Sequence, residues 1–217
     1  MIWIIESKSK LSRVFAADLK RLRANTAVAA HVSRSVLNST IAEVQTPLAP
    51  ALAPDEPVLV LAHSGYDIDD RHGREAPWIG GRWLDEFVQD VTLKFTPAGL
   101  SGRTLWFLVC HTGHDITALA DHLVAAGVDN VTIYMPTDFM YISNTGIPHV
   151  LLSGADLATV NKDVARCDSD YLSIQGSQPT GSYWAGCSIS GQVVTKLSAT
   201  TVEDAVREQF DPDGDEA

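Results

Sequence analysis

The sequence predicts an α/β protein, a three-layer sandwich in which a mostly parallel sheet lies between helices. Two continuous apolar runs, at residues 58–62 and 104–109, are followed at once by polar and glycine residues. Runs of this length fit strands that are buried on both faces. A helical stripe begins after Gly113 and another apolar strand follows at residues 131–135, so strands and helices alternate. This alternation favours a parallel sheet with right-handed crossovers.

The first part of the chain is interpreted by the same periodicities. The run Ile2–Ile5 predicts a buried strand, and apolar residues at helical intervals predict a helix over residues 11–22. Residues 27–32 are predicted as a second strand, whereas residues 33–44 fit neither period. Four prolines between residues 46 and 57 exclude a helix and a central strand, so this stretch is predicted as a surface loop.

The rest of the chain contains one long polar stretch and several regular elements. Residues 64–81 are rich in Asp, Gly and Arg and are predicted as a loop, which at this length is usually functional or mobile. An amphipathic helix is predicted to start at Leu84. Alternating residues on either side of Gly191 predict a hairpin, and residues 202–210 predict a last helix.

Length and composition predict one domain. The chain has 217 residues, of which 45% are hydrophobic and 20% are charged, enough to bury a sizeable core. We predict a single domain over residues 1–210, because the segment before the proline-rich loop is too short for a core of its own. Residues 211–217 are predicted to form an acidic, disordered tail.

Charge and cysteine usage limit the function classes. The formal net charge of −11 argues against a nucleic-acid-binding surface. It also argues against a polyanionic small-molecule activator, unless the 16 basic residues are concentrated in one place. Three cysteines without a framework spacing favour a reducing compartment. No run is long enough to span a membrane, and the apolar start is too short for a signal peptide. We therefore predict a cytoplasmic protein, while secretion without a cleaved signal stays open.

A thiol and an imidazole follow the two apolar runs. His63 comes directly after the run at residues 58–62, and Cys110 comes directly after the run at residues 104–109. Open α/β sheets place their ligands and chemistry at the carboxyl ends of the strands. If the two strands are neighbours, a nucleophile and a base share one edge of the sheet. The alternative from the residues alone is a buried core cysteine and an unrelated loop histidine.

Both strand ends resemble motifs of the caspase-like cysteine peptidases. Cys110-His111-Thr112-Gly113 resembles the Cys-His-Ser-Gly of metacaspases, and the clan's CHAT-type proteases carry related variants. The strand that ends in His63 resembles the clan's apolar strand before its histidine. The spacing of 110 − 63 = 47 residues is close to that of caspases. The same order occurs in the self-cleaving protease domains of bacterial toxins, and the resemblance covers residues 58–135.

This resemblance implies a caspase-like fold and a cysteine endopeptidase that acts on a protein or peptide substrate through a thioester, without a cofactor or metal. Cys110 is then the nucleophile and His63 the proton carrier. Backbone N–H groups of Cys110, Ser64 and Gly65 are implied to form the oxyanion hole. Gly113 is implied to let the chain turn from strand into helix.

The sequence departs from the family pattern at two positions. Ser64 stands where the clan has glycine directly after the histidine. The resemblance therefore does not decide which backbone N–H serves as one of the oxyanion-hole donors. Leu108 stands where metacaspases carry an aspartate that helps to bind a basic P1 side chain. An apolar P1 residue is therefore predicted. The alternative is an acidic substrate pocket supplied by aspartates of the polar stretch, which are Asp67, Asp69 and Asp70.

Other constellations fit the motif rules less well. Zinc could be bound by Cys110, His63 and two further histidines (His111 and His114), but their spacing in the sequence matches no strong zinc-binding signature. Ser64 lacks the flanking glycines of a nucleophile elbow. A phosphatase-type Cys-x5-Arg loop is excluded, because Ile116 occupies the arginine position. A phosphocysteine loop usually follows the first strand of its domain, whereas Cys110 follows a later strand. Cys167 and Cys187 have no histidine in a matching context.

Two other functions stay open. A catalytically inactive caspase-like scaffold would bind a regulatory protein partner through the polar stretch at residues 64–81. A different thiol enzyme on a doubly wound sheet is the third possibility. An activated Cys110 is expected to react with iodoacetamide far faster than the other cysteines and below neutral pH, which would favour the peptidase.

Overall fold

The computed structural model describes residues 1–6, 13–110, 112–138, 140–150 and 184–212. Its strands are β1 (Ile2–Ile5), β2 (Ser35–Asn38), β3 (Val58–Ala62), β4 (Ser64–Asp69), β5 (Arg74–Ile79), β6 (Arg82–Trp83), β7 (Thr104–Leu108), β8 (Val131–Pro136), β9 (Met140–Ile142), β10 (Pro148–Val150), β11 (Trp184–Ser190) and β12 (Val193–Lys196). Its helices are α1 (Arg13–Ala24), α2 (Thr26–His31), α3 (Ile41–Gln45), α4 (Leu84–Phe95), α5 (Pro97–Leu100), α6 (Ile116–Ala125) and α7 (Ala199–Phe210), with a 3₁₀ turn at Gly113–Asp115.

The central sheet is mostly parallel. Its seven described strands have the order β12-β11-β8-β7-β3-β1-β2. The five strands from β8 to β2 run parallel, whereas β11 and β12 are antiparallel to their neighbours. All five parallel strands therefore end at one edge of the sheet, where the chain leaves them.

Helices cover both faces of this sheet. One face, called here the α4 face, packs against α3, α4, α5 and α6. The other, called the α1 face, packs against α1, α2 and α7 and against the β9–β10 hairpin. Strand β3 shows why both faces are buried: Val58 and Val60 point to the α4 face, and Leu59 and Leu61 point to the α1 face. The α/β class and the three-layer arrangement are thus confirmed.

Several predicted elements are confirmed. The helix predicted from Leu84 is α4, and the stripe after Gly113 is α6, which ends before Gly127 with its φ of 83°. The hairpin around Gly191 is formed by β11 and β12, and the last helix is α7. Residues 46–57 contain no helix or strand.

The strand predicted at residues 27–32 is wrong, because this segment lies in helix α2. The Asn25 side chain caps this helix by accepting a hydrogen bond from the backbone N–H of Val28. The second strand is instead β2, which lies within the segment that fitted neither period. Strand β2 is at the edge of the sheet and only partly buried, so it lacks the continuous apolar run of a central strand.

The loop predicted at residues 64–81 is also wrong, because β4, β5 and β6 form a separate antiparallel sheet there. Strand β4 pairs with β5 from Ser64↔Ile79 to Asp69↔Arg74. Gly73, with a φ of 63°, lies in the turn between them. Most side chains of this hairpin are exposed or half-buried, so it lacks the apolar alternation that predicts a strand.

Some predictions fall outside the described residues, namely those on His111, on Cys167 and on the tail at residues 213–217. Among the described helices, none is long and apolar enough to cross a membrane.

Candidate active site

His63 and Cys110 follow neighbouring parallel strands. Strand β3 pairs with β7 with Leu61 opposite Leu108, the last pair of the ladder. His63 and Cys110 each come two residues later, at matching positions beyond the carboxyl ends of the two strands. The condition that the two strands are neighbours is therefore met, and the imidazole and the thiol belong to one edge of one sheet.

The two side chains also share a face of the sheet. Leu61 and Leu108 both pack in the cluster on the α1 face. Side chains alternate along a strand, so residues two positions further on point to the same side. Contacts agree, because the His63 ring lies 4.6 Å from the ring of Phe15 and Cys110 touches Met140, both of which belong to this side.

Ser64 ties the two strand ends together. Its hydroxyl donates a 2.6 Å hydrogen bond to the carbonyl oxygen of Cys110. Toward strand β5, the backbone N–H of Gly80 donates a 2.7 Å hydrogen bond to the carbonyl oxygen of His63. Ser64, which stands where the clan has glycine, therefore has a structural role, because its side chain bonds the end of β3 to the loop after β7.

Ser64→Ala is expected to lower the free energy of unfolding by about 1 kcal/mol, the usual net value of one such hydrogen bond. Urea unfolding of the two proteins measures this difference. The matched control is Ser188→Ala, a half-buried serine in β11, for which we expect a change within about 0.5 kcal/mol. Equal effects of the two substitutions would contradict a specific role for the Ser64 hydroxyl.

The thiol of Cys110 is enclosed by the start of β9. The backbone N–H of Met140 donates to the sulfur at 3.5 Å, and the sulfur lies 3.8 Å from the Met140 carbonyl. Burial raises the pKa of the thiol, the Met140 N–H opposes this, and the negative charges of Asp138 and Asp18 add to the rise. The thiol is therefore protonated at neutral pH in this conformation.

His63 is exposed, whereas Cys110 is partly buried. Within the described part of the chain, no hydrogen bond joins the two side chains. The imidazole packs on Phe15 and keeps its outer side open to solvent. A substrate has access to the imidazole, and this arrangement is compatible with an apo site whose hydrogen bonds tighten when substrate binds.

Helix α1 supplies a buried acid that the sequence reasoning missed. Asp18 lies one turn after Phe15, its side chain is 13% exposed, and Arg21 lies 3.4 Å from it. Burial raises the pKa of this carboxyl to about 6 although Arg21 opposes the shift. The signal was present in the sequence, because Asp18 interrupts the apolar face of the predicted helix.

Three other predicted site residues have structural surroundings. Gly65 packs under Trp78, whose ring would lie 3.2 Å from an added Cβ. An added Cβ at Gly113 would lie 2.5 Å from the carbonyl oxygen of Pro136, so only glycine permits this approach of the loop to β8. Leu108 is 1% exposed and packs in the core on the α1 face, two residues before Cys110.

The three aspartates of the hairpin lie toward its tip. Asp67, Asp69 and Asp70 are in or directly after β4, and Asp69 is five residues, or about 17 Å of extended strand, from Ser64. The Asp69 carboxylate is buried and accepts hydrogen bonds from Arg71, which hold its pKa well below the usual range. Its charge is compensated within the hairpin, whereas the acids that act on the thiol are Asp18 and Asp138.

Among the described residues, the remaining candidates for metal and thiol chemistry are His114 and Cys187. Among the described residues, no group of three or more His, Cys, Asp or Glu side chains is arranged to hold a metal ion. His114 is exposed in the 3₁₀ turn. Cys187 is fully buried in β11, with its sulfur 3.9 Å from the carbonyl of Ile116.

The β9–β10 hairpin that holds Met140 is itself anchored to the end of α1 and to Asn25, the residue that follows this helix. The Asn25 side chain donates to the carbonyl of Thr145 at 3.2 Å, and Gly146, with a φ of 82°, lies against the backbone of Arg21. In this hairpin His149 is 1% exposed and stacks on Tyr141. Burial lowers the pKa of His149 to about 4.

His149→Phe is expected to change how stability depends on pH. Buried His149 stays neutral, so in wild type it makes stability fall as pH drops from about 6.5 toward 4, by about 3 kcal/mol. Asp18, whose pKa is raised to about 6, acts in the opposite direction over a similar range. The free energy of unfolding of the variant relative to wild type should therefore be higher at pH 4.5 than at pH 8. Urea unfolding measures this, with exposed His122→Gln as control; an equal difference at both pH values contradicts the assignment.

No protein-family model matches the chain, and no curated protein matches it either.

Proposed function

We propose that this protein is a cysteine endopeptidase with Cys110 as nucleophile and His63 as proton carrier. The observation that carries the proposal is the matched position of the two residues, two places beyond the paired Leu61 and Leu108. Both side chains lie on rigid supports at the edge where open α/β sheets place their chemistry. The caspase-like motifs at both strand ends support the same assignment.

Each half of the reaction needs one proton transfer to His63 and one from it. As the sulfur of Cys110 attacks the scissile carbonyl carbon, its proton passes to the imidazole of His63 and the carbonyl electrons move to the oxygen. Collapse of this intermediate breaks the C–N bond, and the imidazolium returns its proton to the leaving amine. Water then attacks the thioester while His63 takes the proton of the water, and the imidazolium returns this proton to the sulfur of Cys110 as the C–S bond breaks.

The state of the thiol favours general-base catalysis over a preformed ion pair. The raised pKa of Cys110 keeps the proton on sulfur until substrate is bound. His63 then removes the proton as the C–S bond forms, which requires a neutral imidazole at working pH. Rapid alkylation of Cys110 below neutral pH is consequently not expected for the resting protein.

The neighbours of the dyad support an apolar P1 residue. Phe15 and Met140 lie beside the two catalytic side chains, and buried Leu108 lies beneath them. Asp18 is the opposing feature, since a carboxylate near the thiol favours a cationic side chain.

Asp18→Asn separates these two contributions to P1 preference. We expect cleavage after Leu to change by less than about threefold, since burial of an apolar side chain does not need the carboxylate. Cleavage of a peptide series that differs only at P1 provides the measurement, with exposed Asp204→Asn as control. A wild-type preference for Arg or Lys that disappears in Asp18→Asn would overturn the apolar assignment.

The second candidate is a catalytically inactive scaffold that binds a protein partner. It is favoured by two observations on the dyad, namely the raised thiol pKa and the absence of a hydrogen bond between the described His63 and Cys110 side chains.

Strand order does not separate either candidate from other thiol enzymes, because the parallel strands follow a doubly wound order.

Digestion of a peptide library tests the proposal. Wild type is expected to yield defined cleavage products, and Cys110→Ala is expected to yield none. Cys187→Ala serves as the control, because that thiol is buried on a different strand. Cleavage that survives in Cys110→Ala, or a complete lack of cleavage together with tight binding of a protein partner, would favour the other candidates.

A further inference from the structure

The imidazole of His63 packs against the aromatic ring of Phe15, which lies on helix α1. The two ring centroids are 4.6 Å apart and the ring planes are inclined by 33°. Paired aromatic rings prefer centroid distances of roughly 4.5–7 Å, so the two rings are in close contact. His63 is exposed, and no hydrogen bond joins its ring nitrogens to the described part of the chain. The ring of Phe15 therefore restrains the imidazole by packing, where no described hydrogen bond does so.

Phe15 itself is held firmly. Its side chain is 6% exposed and belongs to the buried cluster on the α1 face, together with Leu61 and Leu108 of the two strands that carry the dyad. Helix α1 is fixed further along by Gly146 of the β9–β10 hairpin, which lies against the backbone of Arg21. An exposed side chain can rotate about its χ1 bond, but a packed aromatic wall removes some of the rotamers. Phe15 thus limits how far the imidazole can turn away from the thiol.

A His/Cys pair needs its base to be aimed at the thiol. In enzymes with three catalytic groups, the third group orients the base through a hydrogen bond. Packing on an aromatic ring supplies a similar restraint without a polar partner. The ring has a second effect when the imidazole takes the proton of Cys110, because the negative face of an aromatic ring attracts a cation within about 6 Å of its centroid. The contact becomes stronger at the step in which the imidazolium forms, which is the kind of interaction that accelerates a reaction.

We propose that Phe15 is a positioning residue of the dyad. Its ring holds the imidazole of His63 in the orientation that serves Cys110 and stabilises the imidazolium that forms during the reaction. Phe15 takes the place of the polar third group that orients the base in a catalytic triad. The role in catalysis rests on the proposed peptidase function, whereas the ordering of the His63 side chain can be measured without it.

NMR of the full chain with ¹³C,¹⁵N-labelled histidine tests the ordering directly. The spectrum of His63→Ala identifies the His63 signals, and their three-bond couplings report the χ1 rotamers. We expect one dominant χ1 rotamer of His63 in wild type and an average over several rotamers in Phe15→Leu, since leucine stays apolar but has no aromatic ring. Phe15→Tyr should restore the single rotamer. If Phe15→Leu does not fold, Phe15→Met replaces it.

The matched control is Phe210→Leu, the same substitution in the same buried cluster. Phe210 packs on Trp106, with ring centroids 5.0 Å apart, and should leave the His63 couplings unchanged. The rate of Cys110 alkylation by chloroacetamide gives the second readout. We expect Phe15→Leu to slow it at least about fivefold, while Phe15→Tyr and Phe210→Leu stay within about twofold of wild type.

The outcomes separate the positioning role from the peptidase proposal. Several χ1 rotamers of His63 in wild type, or a single rotamer in Phe15→Leu, would overturn the positioning role. Equal alkylation rates in Phe15→Leu and Phe15→Tyr, together with a slow rate in His63→Ala, would overturn it as well and leave the dyad intact. If His63→Ala itself alkylates as fast as wild type, the dyad fails, and with it the role of Phe15 in catalysis.

Discussion

His63→Ala is expected to lower kcat/KM for peptide cleavage at least about a thousandfold, and Cys110→Ala to lower it at least as much. Without the imidazole, the thiol of Cys110 loses the base that the proposed reaction assigns to it, and its raised pKa leaves little thiolate at neutral pH. Because the two groups act as a unit, the double variant should lose no more activity than Cys110→Ala alone. Steady-state kinetics on the best library peptide measures all three proteins.

The matched control for these substitutions is His114→Ala, an exposed histidine in the 3₁₀ turn shortly after Cys110. It should retain activity within about threefold, because His114 lies outside the proposed proton path. Circular dichroism and urea unfolding show whether each variant keeps its fold. A folded His63→Ala protein with activity near that of wild type would exclude the imidazole as proton carrier.

Gly113→Ala is expected to destabilise the protein by about 3 kcal/mol or more, as overpacking against a rigid backbone does. The added methyl group would lie 2.5 Å from the carbonyl oxygen and 2.8 Å from the carbonyl carbon of Pro136, and neither atom can move without disturbing β8. The displaced loop also carries Cys110 at its start, so activity should fall together with stability.

Urea unfolding of Gly113→Ala provides the measurement, and Gly99→Ala is its control. An added Cβ at Gly99 would meet only the hydroxyl of Thr96, at 3.0 Å, in the short helix α5. Alanine also favours a helix over glycine, so we expect a change within about 1 kcal/mol there. A Gly113→Ala protein as stable as wild type would contradict the close approach of the loop to β8.

The central strands could be predicted because burial on both faces leaves a continuous apolar run. Strands β3 and β7 have this pattern, and their pairing brought His63 and Cys110 to one edge as expected. The edge strand β2 and the small β4–β6 sheet were missed, because partly exposed strands carry neither apolar runs nor clean alternation. Helix α2 was taken for a strand because its start is fixed by Asn25, a local cap in a short apolar segment.

The candidate site was predictable only along the two strands. His63, Cys110 and Ser64 lie next to apolar runs that the sequence displays, but Phe15, Asp18 and Met140 come from α1 and β9. Their approach to the thiol depends on packing across the α1 face, which no local pattern encodes. The acidic hairpin illustrates the same limit, since the compensation of Asp69 by Arg71 depends on how the side chains fold back on one another.

In the proposed dyad, the imidazole of His63 and the sulfur of Cys110 act on each other across the end of the sheet. The rate of alkylation of Cys110 by chloroacetamide, followed by mass spectrometry at pH 7.5, tests it without knowledge of the substrate. Because a neighbouring imidazole assists removal of the thiol proton, His63→Ala should slow this rate at least about tenfold, and His114→Ala should not. Equal rates of Cys110 alkylation in wild type and His63→Ala would contradict the account.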